Sequence, residues 1–271
     1  MTTASPLVAA LATIDEDHGW IDGIVDPNPP AGDGWLSSAA IATSAAALER
    51  LYEVARASTG PADDRTVGAM MTQRVAEPGR LAGILYRRHG LVPMLPPETA
   101  VLPYTDERHS SVRLVDDAFA CLADDAAASH PSARPVADRE ALRAILVSEV
   151  RGNVAPTIDP IATRTHLSPR AIWALVAYGA LVSVTENLAD DGDAGGAVAE
   201  LDALMAIGGP LADPAAEAHL ESTDTGPRFI LRMGACCRIY RWPDGRDKCV
   251  ACPIRTPEER SALQAVDHVD D

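Results

Sequence analysis

Four of the five cysteines in this 271-residue chain fall within seventeen residues, first in Gly234-Ala235-Cys236-Cys237 and then in Cys249-Val250-Ala251-Cys252-Pro253. Thiolates rather than thiols bind metals, and four of them in one place repel one another unless a cation sits among them. The grouping therefore points to a metal or a metal cluster, and three chemistries compete. A structural zinc ion takes four thiolates in a tetrahedron, usually from two separated Cys-x-x-Cys or Cys/His knuckles. Here one half of the set is an adjacent Cys-Cys pair. Neighbouring residues of a regular strand point to opposite faces, so aiming Cys236 and Cys237 at one centre needs a bend, which Gly234 can allow. A two-iron cluster spreads four ligands over two metals and accommodates an adjacent pair better than one tetrahedral ion does. A thiol–disulfide redox site is the third reading.

Charge singles out the same stretch. The chain carries a formal net charge of −16, yet Arg228, Arg232, Arg238, Arg241, Arg246, Lys248 and Arg255 face only Asp244 and Asp247 between positions 228 and 255. That segment is therefore +5 and the remainder −21. A cationic collar favours deprotonated thiols and offsets the negative charge of an iron–sulfur centre. The acidic remainder would repel nucleic acid and anionic membranes, so neither is expected as a primary partner.

Other chemistry finds little support. Cys121, in Phe119-Ala120-Cys121-Leu122, reads as a small buried side chain, and Met70-Met71 as core. His89, His109, His130 and His166 show no His-x-x-x-His pairing, and no histidine lies near the cysteines to make a mixed cluster. Asp190 to Gly196 lacks the regular oxygen ligands of a calcium loop and is expected as an acidic, solvent-exposed turn. There is no phosphate loop or dinucleotide fingerprint, so NAD(P)H would not be held by a Rossmann unit.

The elements that must position these cysteines read as mainly α-helical, an α+β protein with a small β component and an aliphatic core, since Ala and Leu abound and aromatic residues are few. Helices are expected from Ser37 or Ser38 to Ser58, over Val67–Val75 up to a break at Pro78-Gly79, and from Leu81 to Gly90. Further helices are expected over Arg139–Val150 after the cap Asp138, Ile158–Thr165, Arg170–Leu188 after Ser168-Pro169, and Ala197–Ile207, with a short final one from Thr256. Leu91–Leu122 reads as extended, with a hairpin, and Asp124–Pro135 as a linker. Phe229–Leu231 and Arg238–Arg241 have strand character, Trp242-Pro243-Asp244-Gly245 is a turn, and the acidic tail Asp267–Asp271 is expected to fray. This divides the chain into an N-terminal helical region at 1–130, a helical core region at 136–227, and a hairpin-like C-terminal segment at 228–271 that carries the site. No apolar run approaches the about twenty residues of a membrane span. The opening Met1-Thr2-Thr3-Ala4-Ser5-Pro6 lacks the basic start of a signal peptide, so a cytoplasmic protein without structural disulfides is expected.

Cys236-Cys237-Arg238-Ile239-Tyr240-Arg241-Trp242-Pro243-Asp244-Gly245, leading to Cys249-Val250-Ala251-Cys252-Pro253-Ile254, resembles the C-terminal [2Fe-2S] signature of the FhuF-like ferric-siderophore reductases. Upstream, the helix around Leu142 to Val150, then Val154-Ala155-Pro156, then Ser168-Pro169-Arg170-Ala171-Ile172-Trp173, is also similar to that family. Eleven residues separate Cys237 from Cys249, one more than the family usually has. The resemblance implies a cytoplasmic reductase in which Cys236, Cys237, Cys249 and Cys252 hold the two irons. Its substrate would be a ferric siderophore, such as a hydroxamate, and its donor an external protein such as a ferredoxin. Arg238, Arg241, Arg246 and Lys248 would raise the potential and dock the donor. Trp242 is expected to pack within its turn, while Arg87, Arg88, Arg164 and Arg170 are candidates to line a siderophore cleft. The alternative from another class is a non-enzymatic iron–sulfur or zinc protein whose metal staples the C-terminal segment or serves regulation.

Overall fold

The computed structural model of the chain describes residues 5–18, 21–27, 34–102, 110–182, 184–185, 192–213, 216–223 and 226–266. Met1 to Ala4, His109, the end of the helix expected to reach Leu188, Asp190 and Asp191 of the acidic turn, and the tail Asp267–Asp271 lie outside these residues. The architecture is mainly helical with small mixed sheets. No described helix is long and apolar enough to cross a membrane.

Helix α1 (Pro6–His18) precedes a stretch the sequence presents as one helix and the structure divides. α2 (Ser38–Thr43) starts where the Ser37 hydroxyl accepts from the Ala40 N–H at 3.1 Å, and α3 (Ala45–Thr59) starts afresh at Ser44, whose hydroxyl accepts from the Ala47 N–H at 3.3 Å. Ser44 is extended, with φ −122° and ψ 116°, because a serine hydroxyl can replace the helical bond and end one helix while capping the next. α4 (Asp64–Val75) is capped by Asp63. The break expected at Pro78-Gly79 is a helix start instead: α5 (Glu77–His89) carries Pro78 in its first turn, where a missing N–H costs nothing. Gly90, at φ 66°, closes α5 behind Arg87, Arg88 and His89.

Asp138 caps α6 (Arg139–Val154), which runs a turn longer than expected, and α7 (Ile158–Thr165) follows it. Ser168 caps α8 (Pro169–Ala177), which passes directly into a π-helical segment, Tyr178–Val182. Asp193, within the stretch expected as a solvent turn, caps α9 (Ala194–Ala206). Thr256 and Glu259 exchange backbone-to-side-chain bonds at 2.9 and 3.2 Å, a capping box that opens α10 (Pro257–Val266).

Nine described strands form three small sheets. β1 (Ile21–Val25), β5 (Ser110–Leu114), β4 (Ala100–Leu102) and β2 (Leu36–Ser37) lie in that order, with β1 and β5 parallel. Val101 opposite Val112 in β4 and β5 realises the antiparallel pairing expected within Leu91–Leu122. β3 (Val92–Pro93), β6 (Phe119–Leu122) and β7 (Ala133–Val136) form the second sheet. The stretch expected as a linker is therefore a short 3-10 turn at Ala126–Ser129 and the strand β7, whose parallel pairing with β6 satisfies its backbone. β8 (Glu217–Thr223) and β9 (Gly226–Arg232) make a separate hairpin.

The core is aliphatic. Leu81, Ile84 and Leu85 of α5 pack with Leu146 and Val150 of α6 and with Leu175, Val176 and Leu181 of α8 and the π segment. Cys121, Met70 and Met71 are buried as expected. α5 meets the π segment closely, since a Cβ on Gly79 would stand 2.7 Å from the Ala180 Cβ. Across the core, Arg143 holds both carboxylate oxygens of buried Glu200 at 2.8 and 2.6 Å, and the Tyr86 hydroxyl donates to the same group at 2.7 Å. This network joins α5, α6 and α9.

Candidate cysteine centre

The cysteine segment begins where β9 ends. The Met233 N–H donates to the Ala251 carbonyl at 2.9 Å, so the strand's exit is tied at once to the Cys249–Cys252 turn. That turn closes with the Cys252 N–H on the Cys249 carbonyl at 3.2 Å. Between the two, the strand expected at Arg238–Arg241 is a 3-10 turn over Ile239–Arg241. An extended strand would have sent successive sulfurs to opposite sides, whereas a curved backbone gathers them. The regular hairpin, β8 with β9, lies upstream, and the cysteines hang beyond its second strand.

Gly234 and Ala235 bend the chain as expected, and a second turn follows at Arg238, which sits in the left-handed region at φ 61° and ψ 13°. Few non-glycine residues adopt that conformation, and one that does is held there by its surroundings. Its own N–H donates to the Cys236 sulfur at 3.3 Å. Its Nη2 reaches the Asp63 carboxylate at 2.7 Å and its Nε the Thr66 hydroxyl at 3.1 Å, both at the N-terminus of α4.

Sulfur stands against sulfur. Cys237 Sγ and Cys249 Sγ are 3.7 Å apart, Cys249 Sγ is 3.7 Å from the sulfur of buried Met233, and Cys236 pairs with Cys252. The hydrogen bond between the Cys237 and Cys249 thiols and one from the Ile239 N–H bring the Cys237 thiol down to about 7 despite its burial. The same bond to Cys237, with burial and the neighbouring cysteines, pushes Cys249 far above the usual thiol range. Burial, with the neighbouring cysteines, raises Cys236 to about 11 against the pull of the Arg238 N–H. Among the described residues no group of three or more His, Cys, Asp or Glu side chains is arranged to hold a metal ion. The four cysteines nonetheless crowd together, since the Cys249 thiol feels Cys236 and Cys252 as well as Cys237.

Much of the cationic collar is engaged in ion pairs. Arg228 bonds Glu221, Arg232 bonds Glu217 at 2.6 Å, Arg238 bonds Asp63, and Arg246 bonds Asp244 at 2.6 Å while lying over the Trp242 ring. Arg255 bonds Asp247 at 2.8 Å. Among the described residues, Arg241 and Lys248 are the two basic groups of the segment without a carboxylate partner, and Arg241 is exposed beside the Tyr240 ring. Trp242 packs half-buried against the core, and Pro243 beside it rests on Gly60. Of the arginines expected near a cleft, Arg164 bonds Glu49 at 3.0 Å and lies over Tyr52, Arg170 bonds Asp213 at 3.0 Å, and Arg87 and Arg88 end α5.

Several residues around the sulfurs escape sequence reasoning. Arg260 of α10 is 7% exposed and donates to the Cys252 and Arg255 carbonyls at 3.3 and 2.5 Å. The Arg255 guanidinium donates to the Cys249 carbonyl at 3.1 Å. Arg255 was visible only as one charge among seven, and Arg260, Met233, Asp63 and Thr66 carry no spacing signal that links them to the cysteines. No family model matches the chain, and no curated protein matches it.

Proposed function

We propose that Cys236, Cys237, Cys249 and Cys252 hold a [2Fe-2S] cluster and that the protein reduces Fe(III) bound by a hydroxamate-type siderophore, using electrons from an external protein such as a ferredoxin. The observation that carries the reading is the pairing of the sulfurs. Two thiolates about 2.3 Å from one tetrahedral metal lie about 3.8 Å from each other. The Cys237 and Cys249 sulfurs are 3.7 Å apart, with Cys236 and Cys252 as a second pair. Sulfurs this close suit a bound metal, and the adjacent Cys236-Cys237 pair suits two irons better than one tetrahedral ion.

When bound, the cluster would supply single electrons to Fe(III), whose reduction loosens the grip of hard oxygen ligands and frees the metal. The chain's own part is to hold, tune and expose the site. The backbone N–H groups of Arg238 and Ile239 donate to the Cys236 and Cys237 sulfurs, and such bonds stabilise the more negative sulfur set and raise a reduction potential. Met233, Ala251 and Cys252, each at most 2% exposed, keep water from one side. Exposed Arg241, together with Lys248, presents unpaired positive charge to an acidic donor.

The second reading, a metal that only staples the segment, draws on the anchoring of Arg238 to α4. Metal content separates the two. Anaerobically purified protein is expected to carry equimolar iron and inorganic sulfide, to lose both in Cys249→Ser, and, once reduced with dithionite, to release Fe(II) from a ferric hydroxamate into a ferrous trap. One zinc per chain without iron would leave the staple.

A further inference from the structure

Arg238 connects two parts of the chain 175 positions apart. On one side its left-handed backbone turns the Cys236-Cys237 pair and offers an N–H to the Cys236 sulfur. On the other its guanidinium is fixed by Asp63 and Thr66. Asp63 is itself immobilised, because its second oxygen accepts from the Thr66 N–H at 2.9 Å and the Thr66 hydroxyl at 3.1 Å. A helix cap, an ion pair and a strained backbone thus form one rigid path from α4 to the first two sulfurs.

We propose that Arg238 and Asp63 are positioning residues for the cysteine centre: their ion pair sets where Cys236 and Cys237 stand relative to Cys249 and Cys252, and places one positive and one negative charge at fixed depth beside the site. The placement rests on the geometry alone, while the effect on potential rests on the cluster reading above. Without Asp63 the guanidinium would be free to swing into solvent or towards other anions. Asp63 is held well below the usual carboxylate range, burial being outweighed by the Thr66 and Arg238 bonds, so the pair stays charged at neutral pH.

Two variants test this without unfolding the chain. Arg238→Gly keeps the left-handed backbone at no steric cost but removes the guanidinium, and Asp63→Asn keeps a good helix cap but removes the charge. In metal-free, reduced full-length protein oxidised gently with diamide, peptide mapping is expected to give a Cys237–Cys249 cross-link as the main product in the wild type, and a mixture of cross-links in both variants. In loaded protein, Arg238→Gly is expected to lower the midpoint potential and Asp63→Asn to raise it, opposite shifts that a merely mechanical clamp would not give. An unchanged cross-link map in either variant, or potential shifts of one sign, overturns the proposal. Wild-type protein without iron and sulfide would sink the cluster reading, and the cross-link map would still decide the positioning.

Discussion

At the scale of single residues, the cysteine centre is shaped by side chains that do not themselves carry sulfur. Arg255 and Arg260 reach the carbonyls of Cys249 and Cys252, and Met233 lies against the Cys249 sulfur. Arg246, which sequence alone offers as a docking charge, is closed off by Asp244 and Trp242. On the proposed reading, docking would then fall to Arg241 and Lys248. Replacing both with Gln is expected to slow reduction by an acidic ferredoxin several-fold at low salt and to flatten the dependence of rate on ionic strength, while Arg246→Gln has the smaller effect. Stopped-flow rates at increasing salt check this; equal slopes for wild type and the double variant would dismiss the role.

Among the elements, the clearest energetic statement concerns the network linking α5, α6 and α9. Burial is the largest influence on Glu200 and would raise its carboxyl, but the bonds and charge of Arg143 and the Tyr86 hydroxyl together bring it below the usual range. A depressed carboxylate contributes stability that is complete above its unfolded value of about 4.3 and is lost as pH falls through the lower folded value. Glu200→Gln is therefore expected to make the acid limb of stability shallower between neutral pH and pH about 3, as read by urea melts at several pH values. Tyr86→Phe, which removes one donor to a buried charge, costs about 1–3 kcal/mol at neutral pH.

Local grammar is what the sequence revealed well at this scale. Ser37, Asp138 and Ser168 announce helix starts because a side-chain oxygen before an apolar stripe has one obvious use. Ser44 hides within an apolar run whose periodicity continues across it, and Pro78 reads as a breaker because a proline suits a first turn as well as it ends a helix. The π segment after Ala177 has no local signature, since it is set by the close approach of α5 at Gly79. At the site, the four cysteines were legible from spacing, whereas Asp63 and Arg260 answer only to tertiary placement.

The whole molecule joins a well-packed helical body to a cysteine segment held by few ladder bonds. Between Met233 and Thr256 the backbone has one short 3-10 turn and isolated turn bonds such as Cys252 to Cys249, and arginine side chains and the Met233–Ala251 bond tie it to its surroundings. Removing the metal is therefore expected to speed amide exchange over residues 233–255 while α5 and α8 keep their protection. Exchange mass spectrometry on loaded and stripped protein reads this directly. A uniform loss of protection would mean that the body itself depends on the metal.

The bond between Asp63 and Arg238 also fixes a sequence in time. During synthesis the chain emerges from its N-terminal end, so the helix start that receives Arg238 can be folded long before the last thiols leave the ribosome. The receptacle thus precedes its contents: Asp63 and Thr66 can be in place before Arg238 arrives to turn the Cys236-Cys237 pair. If the four thiols hold a cluster, as proposed, its loading would follow the folding of α4 rather than accompany it.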